Sequence, residues 1–318
     1  MGKPAFLITI DTEGDNLWQN HDRITTENAR FLPRFQQLCE KYAFKPTWLT
    51  NYEMAIDPVY IAFARDVIAR ESGEIGMHLH AWNSPPLSDL TGDDWRYKPY
   101  LIEYPAEQIH SKVAFMTQLL EETFQTKMLS HRAGRWAFNE YYAALLIEYG
   151  YVVDCSVTPK VNWQFSPGDP KGHGGTNYQH FPERAYFIDE KDISKAGASS
   201  LLEVPMSIQY KHSPLMNQLK SVYDSARGKK RSPSVHWLRP AGGNVDQMIN
   251  VAEKALVNGN DYVEFMLHSS EFMPKGSPTF QTDESIEQLY RDLESLFSWL
   301  QSRTIGMTLS EYYQSKVG

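Results

Sequence analysis

The 318-residue chain is 42% hydrophobic and 22% charged, a balance that predicts a globular protein with one large domain or two ordinary ones. A formal net charge of −8, with no basic run longer than Lys229-Lys230-Arg231, argues against nucleic acid as a partner. Cys39 and Cys155 are too few for a disulfide scaffold, no apolar run reaches the roughly 20 residues of a transmembrane helix, and the apolar stretch at 5–10 is too short for a secretory leader, so the expected location is cytoplasmic.

Apolar runs then alternate with amphipathic patterns. A strand is expected over 5–10, followed by a helix over 28–42 that aligns Phe31, Phe35, Leu38 and Tyr42, with Pro33 in its first turn. The second strand is 46–50. Asp57-Pro58 joins a capping side chain to a proline at the first helical position, and that helix runs out at Ser72-Gly73. The third strand is 74–77. A helix over 105–124 turns Ile109, Val113, Met116 and Leu120 inward. The fourth strand is 127–130, a helix over 139–149 stops at Gly150, and the fifth strand is 151–153.

The stretch 159–197 bears Gly and Pro and lacks periodicity, which suits a functional loop. A sixth strand is expected over 201–204, a helix from Ser213-Pro214, and a further strand over 235–238. Asn244 and Gln247 are spaced as a capping box for a helix over 244–258. A strand over 262–267 precedes the clearest helix, 282–301, which aligns Ile286, Leu289, Leu293, Leu296 and Leu300. A short strand at 304–307 and a turn capped by Thr308 and Glu311 close the chain.

Alternating strands and helices predict an α/β fold with a parallel sheet covered on both faces. The length favours a closed, distorted barrel of about seven or eight β/α units, one domain over 1–318 with a loop insertion at 159–197. No glycine-rich phosphate loop follows a strand, which disfavours a nucleotide fold, and there is no internal repeat.

In such a barrel the chemistry lies where strands end. Strand one is followed by Asp11 and Glu13, strand three by His78 and His80, strand four by His131 and Arg132, strand five by Asp154, and the strand at 262 by His268. An acid past a strand often caps a turn, and a lone histidine is more often structural. Two histidines at i and i+2 of an extended segment share a face, close enough to chelate one ion. Glu13 is likewise two residues past Asp11. His110, His173, His180, His212 and His236 read as surface or loop residues.

These residues resemble the polysaccharide deacetylases of the NodB-homology type. The ordered matches are Thr9-Ile10-Asp11-Thr12-Glu13-Gly14, Glu74-Ile75-Gly76-Met77-His78-Leu79-His80-Ala81-Trp82, Ser130-His131-Arg132-Ala133-Gly134-Arg135, Tyr151-Val152-Val153-Asp154-Cys155-Ser156 and Phe265-Met266-Leu267-His268. Pro46-Thr47-Trp48-Leu49 is similar to the family's second strand. The resemblance spans residues 5–310. The family's second motif histidine falls where this chain has Trp82, and its second aspartate where this chain has Thr12, so the resemblance implies that Glu13 stands in for the aspartate and that either His80 stands in for the histidine or the metal takes a different third ligand. The chain looks like a divergent subgroup tied to bacterial surface-polysaccharide loci.

The resemblance implies hydrolysis of an N-acetyl group on a sugar. It assigns Glu13, His78 and His80 to one divalent metal, most simply Zn²⁺, and Asp11 to the general base. Arg132 would hold Asp11, and His268 would be the general acid, tuned by Asp154 or another acid, on a strand opposite that of Asp11. Trp82, Trp136 and Trp163 are candidate stacking platforms, and Arg239 a contact for an acidic sugar. Competing readings are an amidase for a small non-sugar C–N bond, an Fe(II) oxygenase with two histidines and a carboxylate, and a non-catalytic carbohydrate-binding relic.

Overall fold

β1 (Ala5–Thr12) is buried along its whole length, because it runs through a parallel sheet covered on both faces. The computed structural model describes residues 2–19, 23–213, Met216 and 232–318. The helix expected from Ser213-Pro214 onward and the basic triplet at 229–231 lie outside the described residues.

β1 pairs with β11 (Tyr262–His268) on one side and β2 (Pro46–Thr50) on the other, with β12 (Ile305–Gly306) sharing the β2 side at Ala5 and Phe6. The parallel order continues through β3 (Glu74–Leu79), β4 (Ser130–Ala133), β5 (Val153–Asp154) and β8 (Leu202–Glu203). The expected closed barrel is therefore a curled sheet. Where β8 should meet β11, irregular chain spans the space: Leu238 N–H donates to Ser207 O, Met266 N–H to Leu238 O, and Tyr262 OH to Pro205 O.

Helices cover the outer face. Asp57 Oδ1 accepts from the amides of Val59 and Tyr60, which caps the helix Pro58–Ala69 and is worth about 1 kcal/mol. Thr282 with Ser285, and Thr308 with Glu311, close the reciprocal caps of the last two helices. Phe6, Phe35, Phe44, Phe265 and Phe297 interlock edge to face where β1 and β11 meet the helices Leu32–Lys41 and Asp283–Gln301.

Four expectations shift. β4 begins at Ser130, so His131 and Arg132 lie inside the strand, where ion pairing makes a buried arginine tolerable. The stretch at 159–197 contains a hairpin, β6 (Tyr186–Asp189) and β7 (Asp192–Ala196), which extends the sheet antiparallel from β8. Among the described residues, β10 (Val235–Trp237) pairs only with β9 (Ile208–Tyr210), in a separate antiparallel ribbon. Asn244 does precede the helix Val245–Val257, but its side chain serves the incoming loop, accepting from Ala241 N–H and donating to Arg239 O.

Candidate active site

The carboxyl ends of β1, β3, β4 and β11 converge on a cavity of about 670 Å³ lined by Asp11, Glu13, His78, His80 and His268. His78 lies in β3 and His80 just beyond it, so the strand's period of two directs both rings to one side. Their Nε2 atoms stand 3.0 Å apart, and Glu13 Oε2 is 3.7 Å from His78 Nε2 and 3.4 Å from His80 Nε2. Ligands at 2.0–2.2 Å from one tetrahedral ion are separated by about 3.3–3.6 Å, so this trio fits a zinc-sized cation. His78 Nδ1–H donates to the Arg132 carbonyl at 2.9 Å, which leaves its Nε2 lone pair for the ion. This is the one cluster of metal-ligating side chains found among the described residues.

Three features hold the trio. Gly14 and Asn83 donate to opposite oxygens of the buried Glu53, tying the turn after β1 to the turn after β3. Ser269 Oγ receives the Glu13 amide and donates to the Glu13 carbonyl. A Cβ on Gly134 would collide with the Leu79 carbonyl and the His80 ring, so glycine lets β4 end tightly against β3. His80 also stacks on Trp82 at 4.3 Å, so the tryptophan backs the second histidine of the trio.

Asp11 and Arg132 form a buried ion pair at 2.6 Å. The same guanidinium reaches Glu264 Oε1 at 2.5 Å, Thr9 Oγ1 at 2.7 Å and the Cys155 carbonyl at 3.2 Å. Burial alone would raise Asp11, but Arg132, His78 and His268 outweigh it and hold the carboxyl down to about 2. Burial dominates at Glu264 and pushes it up to about 7 despite Arg132. Asp11 is thus the anionic partner of the arginine. Burial would depress His78, yet Asp11 and Glu13 raise it; burial and the neighbouring His78 hold His80 well below its ordinary value.

His268 lies beside Asp11 and not across the barrel from it, because β11 is the hydrogen-bonded neighbour of β1. Its Nε2 is 3.8 Å from Asp11 Oδ2 and 3.9 Å from Glu13 Oε1. Its Nδ1 is 3.1 Å from Glu271 Oε2, which also accepts from the His268 amide. Burial would raise Glu271, but Arg239 and His268 bring it down to about 2. Asp154 does not take this place. It is bonded to His131 at 2.6 Å, because the two are register partners on β4 and β5, and to Ser156, whose hydroxyl receives the Ala133 amide. Asp154 therefore braces the end of β4.

Trp82, Trp136, Trp163 and Arg239 all line the cavity. Glu53, Ser269, Glu264, Glu271 and Arg135 were not singled out from the sequence. Two carried a signal: Glu264 is a lone acid inside the apolar strand Tyr262–His268, and Glu271 is three residues past the histidine.

No protein-family model matches the chain, and no curated protein matches its sequence. Solved structures do match in shape. A Parabacteroides distasonis protein described as a glycoside hydrolase/deacetylase is 11% identical with a TM-score of 0.62, the match covering 98% of this chain and 71% of that one. A Mycobacterium smegmatis protein described as a polysaccharide deacetylase is 14% identical with a TM-score of 0.53, covering 99% and 91%. A GH57-type branching enzyme of Pyrococcus horikoshii is 10% identical with a TM-score of 0.55, covering 100% and 71%. The chain has the NodB-type polysaccharide deacetylase fold. A branching enzyme has a similar architecture, so the chemistry must be argued from the site.

Proposed function

We propose that the protein is a metal-dependent hydrolase that removes the N-acetyl group of a sugar from a bacterial surface polysaccharide or its precursor. One observation carries this reading: Glu13, His78 and His80 share a cavity with Asp11, held by Arg132, and with His268, held by Glu271.

Glu13, His78 and His80 would hold the ion, most simply Zn²⁺. When bound, it would lower the pKa of water and polarise the acetyl carbonyl. Asp11 takes the proton of the attacking water. Arg132 keeps that carboxylate ionised and aimed. His268 Nε2 gives a proton to the departing sugar nitrogen, while Glu271 orients the ring through Nδ1. The tryptophans supply apolar faces for sugar rings, and Trp18 packs edge-on against His268 at 4.7 Å. No described helix is long and apolar enough to cross a membrane.

The test is acetate release from a panel of N-acetylated sugars, with the protein stripped by chelator and then given Zn²⁺. Zinc-dependent release is expected. Cleavage of small amides alone would favour the amidase reading, and silence with zinc bound would favour the carbohydrate-binding relic.

A further inference from the structure

The cavity holds more positive charge than deacetylation uses. The chain has 39 acidic and 31 basic residues, yet Arg96, Lys98, Arg135 and Arg239 line this one cavity against two carboxylates, Asp11 and Glu13. Asp11 is already matched from behind by Arg132. Lys98 donates to the Leu17 carbonyl, and Arg239 shares Glu271 with His268. Arg135 donates to the carbonyls of Lys98 and Pro167 and lies 4.1 Å over the Tyr100 ring. Arg96 packs 5.4 Å from the Tyr97 ring. Neither Arg96 nor Arg135 has a carboxylate partner among the described residues.

One further observation points to an absent ligand. Arg135 and Trp136 both hold left-handed backbone, at φ 54° and 63°, costly for side chains of this size and concentrated in proteins at ligand sites. Guanidinium groups match carboxylate and phosphate oxygens, and a neutral sugar would leave their charge without a counterion.

We propose that the sugar taken by this cavity is anionic, its carboxylate or phosphate held by Arg96 and Arg135 while its acyl group lies against Glu13, His78 and His80. The position of the acyl group rests on the deacetylase reading; the charge preference does not.

The test is calorimetric binding to the zinc-loaded protein of N-acetylglucosamine, N-acetylglucosamine 1-phosphate and N-acetylglucosaminuronic acid, with acetate release followed in parallel. At least one anion should bind about tenfold tighter than the neutral sugar, the scale of one charged hydrogen bond. Which anion wins separates phosphate from carboxylate. Arg96→Gln and Arg135→Gln should each shrink that ratio, and added salt should erode it. Arg96 packs on Tyr97 at the rim, so its variant keeps the test decisive if Arg135→Gln does not fold. Anions that bind no tighter than the neutral sugar, or a preference that survives Arg96→Gln, would overturn the proposal. Tight anion binding without acetate release would sink the deacetylase reading and leave the charge preference standing.

Discussion

Asp11 and His268 are direct register partners on neighbouring strands, with Asp11 Oδ2 3.8 Å from His268 Nε2. The proposed base and acid are therefore fixed by a backbone ladder and not by loops. Asp11→Asn should keep the fold and the metal, because the amide oxygen still accepts from Arg132. It should slow acetate release by roughly 10²–10⁴-fold, the usual loss on removing a general base. Near-normal turnover would remove Asp11 from the mechanism.

Arg132 serves both stability and chemistry. It is fully buried and holds Asp11 and Glu264 at once. Arg132→Ala strands two buried carboxyls, and breaking a buried ion pair this way costs about 3–5 kcal/mol. Denaturant unfolding should show a loss of that size. A loss under 1 kcal/mol would mean that water reaches the cavity left behind. Arg132→Lys should recover only part of it, since one ammonium cannot reproduce the planar fork.

Much of the site was legible because it follows strand periodicity. The paired spacing of His78 and His80, and of Asp11 and Glu13, is a local property, and each pair lies where its strand ends. Partners set by packing were not legible. Asp154 was expected near His268, but its register partner is His131, and Glu271 meets the histidine through a one-turn helix that the residues after β11 form. Strand β4 was placed three residues early because its interior carries His131 and Arg132, which no hydrophobic pattern recommends. The open seam of the sheet depends on irregular segments around Ser207 and Leu238, for which periodicity is silent.

The metal trio gives a graded expectation. His78→Ala and His80→Ala should each abolish retention of one Zn²⁺ per chain through dialysis, read by elemental analysis. Gly134→Ala changes no ligand, yet its methyl would press on the His80 ring and the Leu79 carbonyl. It should weaken zinc binding while leaving the helices' circular dichroism intact. Full occupancy in both histidine variants would refute the ligand assignment.

Glu264 makes stability pH-dependent. Its carboxyl rises in the fold from an ordinary 4.5 to about 7, mainly through burial. The folded state thus holds an extra proton between those values. This contribution is complete below about 4.5 and is lost as pH rises through about 7. Glu264→Gln removes it, so wild-type stability minus variant stability should fall between pH 5 and pH 8. Asp11 is depressed to about 2, so its contribution changes only at more acid pH. A flat or rising difference would show that Glu264 is ionised against Arg132 throughout.

The last expectation separates the role of His268 from simple filling of a polar pocket. An amine leaves an amide poorly unless its nitrogen is protonated, whereas an activated aryl ester leaves as a stable anion. If His268 delivers that proton, His268→Ala should slow an N-acetyl sugar by about 10²–10⁴-fold and slow the aryl acetate far less. Glu271 extends the argument one step outward. Its carboxylate lies 3.1 Å from His268 Nδ1 and accepts from the His268 amide at 3.0 Å, and Arg239 Nη2 stands 3.0 Å from both the carboxylate and Nδ1. Glu271→Gln keeps an acceptor for the ring but removes the carboxylate charge beside the proton donor. It should therefore cut amide turnover more than ester turnover, with KM for the sugar little changed. Glu271→Ala also frees the ring to rotate, and should approach the His268→Ala rate. Equal losses on amide and ester in both His268→Ala and Glu271→Gln would mean that the pair only shapes the cavity.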